Sequence, residues 1–310
     1  MSAAPASSEE APLALICGGG SLPAAVADYV AARGRKVLLF PLHGAANPGD
    51  FERRPHQWLY FGQGGKFARL ARAAGCRDVV FIGSLVRPAF WQIRPDLKVL
   101  LLMPRIAAAY RGGDDHLLSG IARLFEAEGF RLLGAHEVAP EILVPQGALG
   151  RTQPSERDRA DITLGFDYLQ ATGGFDVGQA VVVAGKHVLA VEAAEGTDDM
   201  LARVAHMRAN GRVRAPAGSG VLVKAPKHGQ DRRFDLPSIG PQTIDGVARA
   251  GLAGIAVVAG ATIIAEPERL VQAADRAGIF VLGAPAGSVR CARISFWSPA
   301  RSRATGWAPR

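Results

Sequence analysis

The sequence predicts an α/β protein of two α/β domains, the first Rossmann-like with a parallel sheet covered on both faces. Three observations predict it. A short apolar run over residues 12–17 stops at Gly18-Gly19-Gly20-Ser21 and passes directly into helical spacing at Leu22, Val26, Tyr29 and Val30. Apolar runs and helix-spaced segments then alternate along the chain, separated by short glycine turns. Such alternation marks strands joined by crossover helices. Lastly, a Gly/Pro/polar stretch from Pro145 to Pro154 interrupts the pattern near mid-chain, as an inter-domain linker does.

In order, the first domain opens with the strand at 12–17, the glycine loop and a helix that Gly34 closes. A second strand follows at Val37–Phe40. Trp58–Phe61 reads as a strand, residues 64–74 as a helix, and Val79–Ile82 as a strand ending at Gly83. Residues 97–110 and 115–128 read as helices broken by Arg111-Gly112-Gly113-Asp114-Asp115, and Arg131–Leu133 as a strand. The second domain begins with an amphipathic helix over 155–171. Two strands, 179–184 and 187–193, flank Gly185, and a helix covers 198–208. Val221–Lys224 is a strand, 241–251 a helix, 255–258 a strand, 266–277 a helix and 279–282 a last strand. The expected division is 1–150, 151–284 and an Arg-rich, unfolded tail at 285–310.

Charge narrows the function classes. The 310 residues carry a formal net charge of +8, but five Arg and no Lys, Asp or Glu lie between Pro285 and Arg310, leaving +3 for the rest. A nucleic-acid-binding module needs a basic face, and the body offers little net charge for one. No apolar run reaches the roughly 18–20 residues of a membrane span. The N-terminus has two Glu ahead of its apolar run and no basic segment, unlike a signal peptide. Three scattered cysteines, Cys17, Cys76 and Cys291, make neither a disulfide framework nor a zinc knuckle, which suits a reducing, cytosolic setting.

Four segments could carry chemistry. Gly18, Gly19 and Gly20 let backbone approach an anion at a helix N-terminus, with Ser21 as cap; the alternative is a tight turn and a capped helix. Neither the dinucleotide fingerprint nor a Walker A pattern is completed. Asp114 and Asp115 follow a glycine pair, as substrate or Mg²⁺ contacts or as helix-capping carboxylates. Glu195, Thr197, Asp198 and Asp199 fall within five residues just after a strand. Hard oxygen ligands there suit Mg²⁺ beside a phosphate, the alternative again being a cap at Thr197 or Asp198. The densest segment runs from Lys224 to Thr243 and holds Lys224, Lys227, Gln230, Asp231, Arg232, Arg233 and Asp235. Cations neutralise phosphate oxygens and an Asp binds Mg²⁺ or orients water; a solvated polar loop is the alternative. Cys17 reads as a small buried residue, and Trp58, Phe90 and Trp91 as packing residues.

Taken as an ordered set, these residues resemble one family. Ile16 through Pro23, Gly113-Asp114-Asp115-x-Leu117-Leu118, Gly134-Ala135-His136-Glu137, Glu195-Gly196-Thr197-Asp198 and Lys224 through Thr243 look like the LpxI-type UDP-2,3-diacylglucosamine pyrophosphatases of lipid A biosynthesis. The resemblance covers roughly residues 12–284. It implies a cytosolic, Mg²⁺-dependent hydrolase, peripheral on the cytoplasmic face of the Gram-negative inner membrane. Its substrate is UDP-2,3-diacylglucosamine, its products UMP and 2,3-diacylglucosamine 1-phosphate (lipid X), and its two domains close around that substrate. A homodimer is compatible with it, and nucleic acid is not a partner. By position, Asp235 is the essential acidic residue, with Asp231 and Asp198 as further Mg²⁺ ligands. Lys224, Lys227 and Arg233 would neutralise developing charge. Gly18, Gly19, Gly20, Ser21, Asp114, Asp115, Glu195, Thr197, Gln230 and Thr243 would contact substrate. The tail after residue 284 has no counterpart in the family. Other nucleotide-sugar enzymes and non-catalytic nucleotide-lipid binders remain the competing readings.

Overall fold

The computed structural model describes residues 11–84, 93–97, 99–100, 114–175, 177–227, 231–234, 236–285 and 287, with backbone alone at 114–119 and 121. Strands β1 (Leu13–Cys17), β2 (Val37–Pro41), β3 (Asp78–Ile82) and β4 (Arg131–Leu133) form one sheet in the order β2-β1-β3-β4. All its neighbours are parallel. Every residue of β1 is buried, which is why it reads as a continuous apolar run rather than an alternating one. Leu13, Leu15 and Cys17 pack on Val26, Ala27 and Val30 of α1 (Leu22–Ala32). Ala14 and Ile16 face the opposite way, onto Phe67, Ala68 and Ala71 of α2 (Gly64–Ala73). Helices α3 (Asp114–Ala127) and α4 (Ala135–Val138) flank β4. Asp78 is a buried carboxylate at the entry of β3, joined to Arg35 and, at 2.8 Å, to Arg131 at the entry of β4.

The second sheet holds β5 (Gly147–Leu149), β6 (Ala180–Ala184), β7 (His187–Val191), β8 (Val221–Lys224), β10 (Gly254–Val258) and β12 (Phe280–Ala284), in the order β5-β12-β10-β8-β6-β7. Helix α5 (Glu156–Thr172) covers one face through Ile162, Phe166 and Leu169. The other face carries α6 (Gly196–Ala209), α7 (Pro241–Arg249) and α8 (Pro267–Ala277), which bury Met200, Leu201, Ile244, Val247 and Leu270 against it. A separate parallel pair, β9 (Ser238–Ile239) and β11 (Ile263–Ile264), lies beyond the sheet. Leu236 and Ile263 of this second unit share a core with Leu13, Leu15, Val138 and Ile142 of the first. The two sheets are thus joined by apolar packing as well as by chain.

Several elements differ from the sequence reading. The segment expected as a linker contains β5, which pairs antiparallel with β12 as the sheet edge. Three residues are too short to register as a strand locally; pairing with a buried neighbour makes one. The second sheet is mixed, because β6 runs antiparallel to both β7 and β8. Gly185 and Lys186 both have positive φ, 58° and 62°, the geometry of a two-residue hairpin that reverses the chain with the right twist. Asp161 of α5 pins this turn, accepting from the amides of Gly185 at 2.9 Å and Lys186 at 2.6 Å. Trp58–Phe61 makes isolated bridges, Leu59 to Leu42 just past β2 and Phe61 to Ile93, rather than a strand. Pro41 has no N–H to continue the ladder. The helix expected at 97–110 lies largely outside the described residues, as do Phe90, Trp91 and nearly all of 285–310. Among the described residues no helix is long and apolar enough to cross a membrane.

Candidate functional site

The first sheet reverses its order between β1 and β3, and open α/β sheets bind ligands beyond the strand ends at such a point. Here the glycine loop after β1 meets the turn after β3. Gly18 N–H donates to Ile82 O at 2.8 Å, Gly19 N–H to Ser84 O at 2.9 Å, and Ser84 N–H back to Gly19 O at 2.9 Å. The amides of Gly18 and Gly19 are therefore committed to β3 and its turn, not offered to an anion. A Cβ on Gly19 would lie 2.8 Å from Ala45 O, so close backbone approach is what requires glycine there. Gly20 has φ +89° and turns the chain into α1.

Ser21 makes no side-chain cap on α1. Its hydroxyl instead donates to Glu266 Oε1 at 3.1 Å, across 245 residues of sequence. Glu266 precedes α8 with φ 51° and also pairs with Arg269. The glycine loop is thus tied to the second unit, a contact that no local pattern could reveal.

At the second sheet, β7 and β8 converge on α6. Glu195 is the N-cap residue of α6 without a side-chain cap, and its carboxylate pairs with Arg203 at 2.7 Å. Thr197 does not cap either. Its hydroxyl donates to Glu192 Oε1 at 2.6 Å and accepts from Lys224 Nζ at 2.9 Å. Lys224 also donates to Ser238 O at 3.3 Å, and Glu192 Oε2 accepts the Gln179 amide at 2.8 Å. Lys224 and Glu192 are 6% and 7% exposed, so two opposite charges are buried with one hydroxyl between them. Glu192 was not among the sequence candidates. Its signal was a carboxylate at the end of an apolar strand, five residues ahead of Thr197. Asp198 and Asp199 are exposed in the first turn of α6.

The charged loop after β8 crosses to the first unit. Arg233 grips Asp231 through Nε and Nη2, the closest approach being 2.7 Å, and reaches Glu126 of α3 at 3.0 Å. Hydrogen bonding from Arg233 holds the Asp231 carboxyl below its ordinary range, and the same pair raises Arg233. Phe234 packs on Phe81 of β3, ring centroids 5.6 Å apart. Arg232 donates to Gly260 O at 3.3 Å. His136, at the start of α4, has a buried Nδ1 without a hydrogen-bond partner among the described residues, and burial lowers its basicity. Lys227 is half-buried. Thr243 accepts the Gly240 amide at 3.1 Å, closing the start of α7. Gln230 and Asp235 lie outside the described residues, and of Asp114 and Asp115 only the backbone is described, at the first turn of α3.

The expected Mg²⁺ ligands are not brought together by the described residues. Both oxygens of Asp231 are occupied by Arg233, and Asp198 is exposed on α6. Among the described residues no three His, Cys, Asp or Glu assemble to hold a metal. Cys17 is fully buried, and burial pushes its thiol up to about 12, so it is a packing residue.

Weakly similar solved structures include the UDP-glucose 4-epimerase of Thermus thermophilus with NAD, at 12% identity and TM-score 0.28, covering 88% of this chain and 86% of that one. A GalE-like L-threonine dehydrogenase from Cupriavidus necator matches at 13% identity and TM-score 0.28, over 84% and 88%. The UDP-2,3-diacylglucosamine pyrophosphatase LpxI of Caulobacter vibrioides is 44% identical over 271 residues, 87% of this chain and 96% of its own length. Residues 12–142 match the LpxI N-terminal domain and residues 145–282 the LpxI C-terminal domain. With both halves matched in order, the chain belongs to the LpxI family.

Proposed function

We propose that this protein hydrolyses the pyrophosphate of UDP-2,3-diacylglucosamine to UMP and 2,3-diacylglucosamine 1-phosphate, a step of lipid A biosynthesis. The observation that carries the reading is the 44% identity to the Caulobacter vibrioides pyrophosphatase along almost its whole length. Water forms a new P–O bond as the bridging P–O bond breaks, and the leaving phosphate departs with its electron pair. Asp235 orients the water and takes up its proton. The Lys224 ammonium meets negative charge building on the phosphate oxygens, with Lys227 beside it in the chain. Asp231 and Arg233 neutralise each other, so their part is to fix this loop against Glu126 of the first unit.

A requirement for Mg²⁺ belongs to the same proposal and rests on the chemistry of pyrophosphate. The described residues supply no ligand set for the ion, so the steps assigned here run through side chains and water. Peripheral contact with the cytoplasmic face of the inner membrane follows from the two acyl chains of the substrate, which partition into a bilayer.

Hydrolysis in ¹⁸O-water, with and without EDTA, tests the reading. UMP and the lipid phosphate should form without an added acceptor, one of them labelled, and EDTA should stop the reaction. Release of UMP only with an acceptor present means a transferase; binding without turnover means a carrier. Asp235→Ala should abolish turnover in a folded protein.

A further inference from the structure

We propose that Ile93, Leu97 and Leu100, with Arg94 and Lys66 beside them, form the surface by which the protein docks on an anionic lipid bilayer. The choice of partner rests on the reading of the substrate as a lipid whose two acyl chains stay in the membrane. The inference adds which face meets that membrane.

Among the described residues five large apolar side chains are exposed: Ile93, Leu97, Leu100, Phe175 and Val188. Three of the five fall within eight residues of sequence, unlike the single exposures that any surface carries. Leu97 is 74% and Leu100 51% exposed. Both belong to a helical turn, three residues apart, and so share one face. The turn is firmly held. Asp96 accepts from Val99 N–H at 3.0 Å, at the start of this turn, and from Gly65 and Lys66 N–H at 2.6 and 3.0 Å, at the start of α2. One carboxylate therefore ties two helix starts together.

The accompanying charge is positive. Asp96 is the only Asp or Glu between Asp78 and Asp114 in the sequence, and its oxygens are turned onto those three amides. Arg94 is exposed and Lys66 half-buried. Leucines flanked by cations are what an interfacial helix carries, and anionic headgroups attract such cations. A second copy of this chain on the same patch would instead bring like charges together.

Position points the same way. Arg94 N–H donates to Phe61 O at 2.8 Å, and its guanidinium lies 3.9 Å over the Tyr60 ring. Tyr60 stacks on His43, centroids 4.2 Å apart, in the turn just past β2. Ala45 of that turn is the neighbour that a Cβ on Gly19 would meet at 2.8 Å. The patch thus adjoins the C-terminal edge of the first sheet, where the glycine loop meets Ser84 and where α/β sheets bind ligands. A bilayer on this face leaves the acyl chains in lipid while the headgroup reaches the crevice.

The test is co-sedimentation of the full chain, without substrate, with vesicles of phosphatidylglycerol and phosphatidylcholine and with vesicles of phosphatidylcholine alone. Wild type should bind the anionic vesicles. Leu97→Ser combined with Leu100→Ser should bind them about 10–100-fold more weakly, because two leucines lose their burial in lipid. Arg94→Gln should weaken binding about fivefold on anionic vesicles and little on neutral ones. The leucine variant should release UMP at the wild-type rate from a short-chain, water-soluble form of the substrate. From the long-chain substrate in limiting vesicles it should be about 10–100-fold slower, in step with its binding. Thermal denaturation checks the fold of each variant. Should the double variant not fold, Leu97→Ser alone, at a mostly exposed side chain, carries the test with about a tenfold loss. Wild type that does not sediment with anionic vesicles, or a folded leucine variant that binds like wild type, would overturn the proposal. So would a change of mass in solution with vesicle binding unchanged, which makes the patch a contact between copies. A wild-type protein that binds vesicles but releases no UMP from either substrate defeats the hydrolase reading without touching the docking surface. UMP release without vesicle binding does the reverse.

Discussion

Gly83→Ala should be among the most damaging single-methyl additions in the first sheet. Gly83 follows β3 with φ +98°, a conformation that side chains rarely adopt, and its added Cβ would lie 2.7 Å from Gly19 O and 2.9 Å from both Gly18 C and Pro23 Cγ. The backbone strain alone is worth about 1–2 kcal/mol. The clash adds about 1–3 kcal/mol of overpacking, because two of its three partners are backbone atoms. It also pries apart the two Gly19–Ser84 hydrogen bonds, each 2.9 Å and each worth about 1 kcal/mol. A total loss of about 4–7 kcal/mol is a large part of an ordinary domain's stability. Gly129→Ala supplies the control. Gly129 has φ +83° with nothing within 4 Å of the added methyl, so it carries strain without contact. Urea denaturation of both variants isolates the contact contribution as their difference, and UMP release reports whether the glycine loop has moved. If Gly83→Ala were no less stable than Gly129→Ala and turned over normally, the glycine loop would not be locked against β3.

Asp231→Asn should cost at most about 1 kcal/mol at neutral pH, because the Arg233 pair is about one-third exposed. The folded carboxyl is held below its ordinary range. Its contribution is therefore complete above the unfolded carboxylate pKa and lost as pH falls through the lower, folded one. Wild type and variant should differ at pH 7 and converge in acid; a difference that persists at the acid end would contradict the pairing. Cys17 should resist a thiol reagent at pH 8 until the protein unfolds, given a pKa of about 12; fast labelling of the native protein would contradict its burial. Removing residues 285–310 should leave hydrolysis of a micellar substrate intact, and a large loss would make the tail part of the enzyme.

Much of the architecture was legible because it is written in local terms. The β1 run, the glycine turn and the α1 spacing each follow from neighbours a few residues apart. β5 was not legible, since three residues in a Gly/Pro stretch become a strand only when β12 lies beside them. The antiparallel β6 was half-legible: Gly185 marked a turn, but reversal also required Lys186 at φ 62° and the grip of Asp161. Among site residues, Lys224 and Thr197 were visible as residue types suited to phosphate chemistry. That Thr197 accepts from Lys224 and donates to Glu192 was not.

By itself the sequence determined the order of the longer strands and helices, the loops that carry polar chemistry, and the resemblance that both matched domains bear out. Those properties depend on hydrophobic spacing, on glycine's access to positive φ and on motif order, all of which survive in one dimension. Tertiary structure alone decided the partners. It spends the Gly18 and Gly19 amides on β3, ties Ser21 to Glu266, and joins Arg233 to Glu126 across 107 residues. A charge or a hydroxyl acts within a few ångströms, and chain order does not say which distant groups the fold will bring that close.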